Sequence, residues 1–230
     1  MRGGAFSVWL ALAFAGLPLG AWAAGEPEFQ VDYSNPGLTP PHWTLTIHPD
    51  GSGHFHSDRR VAAAVALAGN GQGSIREIQP PDVDRDVKLS AEFAEYVFET
   101  VRQHRVRGSD CESHMKVAFQ GWKKLSYSGP EGVGGCEFNY SKDKDIQALG
   151  DSLVAVAGTI LEGARLETLL QHDRLGLDSE MEYVAEASKD GRLLEIGAIR
   201  GILERLADDP EVMVRVRKRA KGLLDGKGSR

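Results

Sequence analysis

Three histidines, His48, His54 and His56, fall within nine residues of one another. His54 and His56 are two apart. Successive side chains of an extended chain alternate between faces, so these two imidazoles share one side. That geometry suits Zn²⁺ or Cu²⁺, for which imidazole nitrogen is a good donor. Asp58 has the same parity and offers a carboxylate, and His48 faces the pair across the turn Pro49-Asp50-Gly51-Ser52-Gly53. His54, His56, His48 and Asp58 are therefore the candidate metal ligands. The simpler alternative is the polar side of a two-sided hairpin with Phe55 buried opposite.

The remaining chemistry is sparse. Cys111 and Cys136 are the two cysteines, and in an oxidising compartment their pairing closes a loop worth roughly 3–4 kcal/mol by chain entropy. Glu112-Ser113-His114 places a serine beside a histidine, but neighbours on an extended chain point to opposite faces, and a catalytic pair needs hydrogen-bond reach. The chain carries no Gly-x-Ser-x-Gly or His-Glu-x-x-His, so no catalytic residue is assigned. Gly69-Asn70-Gly71-Gln72-Gly73 precedes a strand-like run and does not open a helix, which is turn chemistry and no phosphate cradle. Asp50-Gly51-Ser52-Gly53 lacks the alternating oxygen ligands of a calcium loop.

With 27 basic and 33 acidic residues the formal charge is −6, which gives no basis for nucleic-acid binding. The sign reverses at the C-terminus, where Arg215, Arg217, Lys218, Arg219 and Lys221 cluster. One reading is peripheral contact with an anionic surface. The plainer one is a solvated face whose cations complement a helix C-terminus.

These groups need elements to position them. Residues 1–23 have the marks of a signal peptide: Arg2, an apolar run over Ala5–Leu19, then Pro18, Gly20 and the small-residue site Ala21-Trp22-Ala23. Cleavage near Ala23 leaves a chain with no further segment able to span a bilayer. That places the product in the periplasm or outside the cell, and arginine in excess of lysine fits a bacterial source.

From Glu26 to Tyr140 the pattern is strand and turn. Trp43, Leu45 and Ile47 alternate with Thr44, Thr46 and His48, predicting a hairpin over Thr44–Ser57. A second hairpin is expected between Val61 and Gln79, and the polar run Asp82–Asp86 reads as a loop. Ser90 caps a helix carrying Phe93, Val97, Phe98 and Val101, which ends near His104. Val117–Phe119, Leu125–Tyr127 and Cys136–Tyr140 read as strands. The second half is helical: a long helix over 144–172 with an apolar stripe from Ile146 to Ile160, then shorter ones carrying Met181, Leu203 and Val216. Gly158 and Gly163 allow another element to approach the long helix. Asp209-Pro210 separates the last two helices, with Pro210 near the start of the second.

Leu206-Ala207-Asp208-Asp209-Pro210-Glu211, followed by Val212, Val214, Arg215, Arg217 and Ala220, resembles one unit of a HEAT-type helical repeat over residues 196–224. No second copy follows at the repeat period, so a helical hairpin is expected here and not a solenoid. The expected fold is α+β: antiparallel hairpins packed on one or two helices over residues 24–172, then a small helical unit over 173–230. The functional expectation is an exported, soluble, non-enzymatic binding or accessory module of the periplasm or cell envelope, with an unknown protein or envelope component as partner. The alternative is a metal-binding protein or metal-dependent hydrolase using the His48/His54/His56 hairpin.

Overall fold

The computed structural model describes residues 26–58, 82–104 and 110–226. The leader and the second hairpin expected between Val61 and Gln79 lie outside the described residues. Six strands form one antiparallel sheet: β1 (Glu28–Ser34), β2 (His42–Ile47), β3 (Ser52–Asp58), β4 (Asp84–Lys88), β5 (Trp122–Gly129) and β6 (Gly132–Phe138). Their order is β4-β3-β2-β1-β5-β6. Among the described residues five helices follow or interrupt them: α1 (Ala91–Gln103), α2 (Lys144–His172), α3 (Leu177–Lys189), α4 (Arg200–Asp208) and α5 (Val214–Leu224), with a 3₁₀ turn over Ile196–Ile199 before α4. The class is α+β with a C-terminal helical region, as expected.

The sheet has one apolar face because alternation is kept strand by strand. Phe29, Val31 and Tyr33 of β1, Trp43, Leu45 and Ile47 of β2, Phe55 of β3, and Leu125 and Tyr127 of β5 are all buried. Tyr33 stacks on Trp43 with ring centres 4.9 Å apart. Helices α1 and α2 complete this core. A second cluster begins on α2 at Leu166 and gathers α3, α4 and α5 around Leu177, Leu203 and Val216. The long helix thus packs into both clusters.

Local chemistry explains the boundaries. Ser90 Oγ accepts from Phe93 N at 3.1 Å and starts α1. Asp143 starts α2 by accepting from Asp145 N and Ile146 N, which satisfies amides the first helical turn cannot. Gly163 lies where a methyl group would collide with Ile199 Cγ2, and a Cβ at Gly158 would lie 3.2 Å from Leu193 Cδ2. Both glycines admit a close neighbour, as their placement predicted.

Four details differ from expectation. Asp84–Lys88 is an edge strand and not a loop, because pairing with β3 uses backbone groups and an edge strand buries little; only Val87 of the five is fully buried. β1, unassigned in the sequence reading, lies at the middle of the sheet. Val117–Phe119 is not a strand: residues 110–121 run without regular structure. That loop is held by Glu112 Oε2, which accepts from Asn139 N at 2.6 Å, by the Asn139 side chain on Gln120 N and Ala118 O, and by the Cys111–Cys136 disulfide. Pro210 sits in the turn, since α5 begins only at Val214. Among the described residues no helix is long and apolar enough to cross a membrane.

Candidate functional site

With the helices on one side, the other side of the sheet carries the polar halves of the alternating strands. The registers place Asp84, His56, Thr44, Asp32, Lys124 and Glu137 in one row across all six strands. Next to it run Asp86, His54, Thr46, Gln30 and Ser126, and on the other side Asp58, His42, Ser34 and Trp122. The two rows with β4 residues set a β3 histidine against a β4 aspartate. Directly opposed residues of antiparallel strands bring side chains together, so the histidines meet carboxylates from a neighbouring strand.

The distances follow. His54 Nδ1 lies 2.9 Å from Asp86 Oδ1, and its Nε2 lies 3.2 Å from Asp84 Oδ1. His56 Nδ1 is 3.0 Å from Asp84 Oδ2. His42 Nε2 is 3.1 Å from Asp32 Oδ1. The hydrogen bond from His54 to Asp86, followed by the charges of Asp84 and Asp86, pushes the His54 imidazole above its ordinary pKa against a smaller opposing effect of burial. At the end of the His42 row Trp122 is 41% exposed, and Phe119, 50% exposed, meets it edge-on with ring centres 6.4 Å apart. An aromatic pair left in solvent at the margin of a polar face is the kind of group that anchors a partner.

The expected ligands are therefore partly brought together. His54 and His56 share the face as their spacing required, and Asp58 lies on it beside His42. His48 belongs to the β2–β3 turn, with its backbone N donating to Ser52 O at 2.8 Å. Its Nδ1 is buried without a hydrogen-bond partner among the described residues. Sequence reasoning missed Asp84 and Asp86, because their run was read as a loop, and missed His42 and Asp32. Parity carried the missing signal: Asp32 alternates with Val31 and Tyr33, and His42 with Trp43.

Among the described residues, the trio whose donor atoms lie mutually within 4.8 Å is a different one, His104, Asp143 and Asp145. His104 places Nδ1 2.7 Å from Asp143 Oδ2 and Nε2 3.1 Å from Asp145 Oδ2. These carboxylates sit at the N-terminus of α2, where the helix dipole favours anions and opposes a cation. Asp143 is held below the usual carboxylate range despite some burial, by the amides of Ile146 and Asp145 and by His104. This trio is a helix cap tied to the end of α1.

The basic cluster on α5 is divided. Arg215 Nε and Arg219 Nη1 reach Asp178 Oδ1 at 2.6 and 2.7 Å, and Arg219 also faces Glu182 at 3.5 Å. Arg217 is half-buried, and Lys218 and Lys221 are exposed. Comparison of the sequence with models of known protein families and with curated proteins finds no match.

Proposed function

We propose that the chain is an exported, soluble, non-enzymatic binding module of a bacterial periplasm or cell envelope, and that it meets its partner through the face of the sheet that carries no helix among the described residues. The observation that carries this reading is the pairing of that face's histidines with aspartates across an exposed surface, with Trp122 and Phe119 in solvent at its edge. Catalysis calls for groups converging in a cleft shielded from water, whereas these spread over three rows. Among the described residues aspartates outnumber cations there, so the complementary partner is a protein with a basic surface.

The test places a photo-crosslinking residue at Gln30 on this face and, separately, at Glu182 on the helical side. The expected result is a defined adduct from position 30 only, lost on combining Trp122→Ala with Asp84→Lys. Equal adducts from both positions, or adducts indifferent to those changes, would overturn the reading. Export is tested independently by N-terminal sequencing of the mature chain, with Ala24 expected as the first residue.

One observation favours a second reading, in which the face holds Zn²⁺ or Cu²⁺. The two oxygens of Asp84 each face a ring nitrogen, one from His54 and one from His56, a pattern of carboxylate and imidazole that a transition ion can use. Calorimetric titration showing binding tighter than micromolar, lost in His54→Ala, supports it. Absence of such binding removes it.

A further inference from the structure

Lys123 occupies a core-facing position. It shares the buried face of β5 with Leu125 and Tyr127 and is 2% exposed. Its ammonium Nζ donates to the Asn139 backbone oxygen at 3.2 Å and lies 5.5 Å from the centre of the Phe138 ring. Asp151 and Glu112 attract it only from longer range, and no carboxylate of the described residues forms an ion pair with it. A buried ammonium is costly without a counter-ion, and one carbonyl plus a ring face compensates in part. Two of its three N–H donors have no protein acceptor among the described residues.

The space around it continues into a cleft. Helix α2 leaves a notch for the lysine stem: a Cβ at Gly150 would lie 2.8 Å from Lys123 Cδ. Lys123 also lines a cavity of about 450 Å³, with Asp151, Gly158 and Glu162 along α2. Their spacing keeps them on one helical stripe, about 16 Å from first to last. Tyr183 and Arg192 form the opposite wall, the guanidinium lying 5.4 Å from the Tyr183 ring centre. At the far end Glu162 Oε2 is buried and accepts no hydrogen bond among the described residues. Burial first, and then the neighbouring Glu180, keep the Glu162 carboxyl protonated well above the ordinary carboxylate range. Arg192 is paired with Asp190 at 3.2 Å, so Lys123 is the cation of this lining that has no ion pair among the described residues.

We propose that this cleft binds an elongated organic carboxylate, whose charged end supplies the counter-ion of Lys123 and whose far end presents an N–H or O–H donor to Glu162 Oε2. The site lies on the helical side of the sheet, independent of the face assigned to a protein partner. Arg192, exposed and paired with Asp190, also lines the cleft.

The probes are 6-aminohexanoate and 8-aminooctanoate, with 8-aminooctanamide and inorganic phosphate as controls, followed by thermal melting and calorimetry. At a ligand concentration far above Kd, a carboxylate probe raises Tm by about 3 °C or more, and the amide and phosphate leave it unchanged. Lys123→Met abolishes the ligand-induced rise and itself melts higher than the parent, because a buried cation has been removed. Arg192→Glu, at an exposed position that leaves the fold intact, weakens calorimetric affinity roughly fivefold or more. If Lys123→Met does not fold, the Arg192→Glu comparison decides. The proposal is overturned if no carboxylate probe shifts Tm at about 10 mM, a concentration that reveals even millimolar affinity. It is equally overturned if the shift survives in Lys123→Met, or if the amide or phosphate acts as strongly.

Discussion

His54 shows what a strand neighbour does to a single side chain. Both ring nitrogens face aspartates of β4, and its pKa rises from 6.5. A group whose folded pKa is raised adds stability that is complete below its unfolded pKa and is lost as pH climbs through the folded one. NMR titration is therefore expected to give His54 a midpoint above 6.5, moving back toward that value in Asp86→Asn, since Asp86 is the largest cause of the shift. An unmoved midpoint in that variant would mean the hydrogen bond is not the cause. Glu162 gives the same sign from a different cause, burial of an acid. Its acid is pushed up from 4.5 to about 8, so the folded chain keeps a proton that the unfolded chain releases. Stability from this group falls as pH rises between those values. Glu162→Gln is expected to flatten that part of the pH–stability curve, measured by urea unfolding at about pH 5, 7 and 9.

At the scale of elements, α2 is the member on which the others depend. It packs against the sheet along Ile146, Leu149, Leu153, Val156 and Ile160 and against the C-terminal helices through Leu166 and Leu169. Its underside is also tied to the edge of the sheet by Arg85 of β4, which meets Glu167 through two hydrogen bonds of 3.2 and 2.7 Å. Gly163→Ala tests its closest crossing. Alanine gains about 1 kcal/mol of helix propensity, but its methyl group would collide with Ile199 Cγ2, and overpacking costs typically 1–3 kcal/mol. A net loss of up to about 2 kcal/mol is expected by chemical denaturation. A stabilised variant would show that the 3₁₀ turn can yield at no cost.

For the whole molecule, the disulfide fixes the irregular segment 110–121 to β6, where few apolar side chains hold it. Cys111 is buried and Cys136 packs against the core, so the bridge joins that loop to the sheet. Cys111→Ser or reduction is expected to lower stability by roughly 3–4 kcal/mol, as the 25-residue separation implies. Calorimetric melting with and without reductant measures it. A loss confined to the loop, with the sheet unmoved, would appear as hydrogen exchange restricted to residues 110–121.

The α+β class, the hairpin carrying His54 and His56, the bounds of α1 and α2, and the cysteine pairing were all legible in the sequence, because each rests on local pattern. Periodicity of two or 3.6, a Ser or Asp at a helix start, and two cysteines in one chain are visible without knowing what lies opposite. Strand order was not legible. Antiparallel pairing is made by backbone groups that every residue carries, so nothing in Asp84–Lys88 announced that it would lie against β3 and bring Asp84 and Asp86 to the histidines. Likewise Lys123 looks like a surface residue beside Lys124, and only the alternation of β5 against α2 puts one inside and the other out. Which polar residues face each other, and which cation is left in the interior without a carboxylate partner, was decided by tertiary packing alone, since burial is a property of neighbours distant along the chain.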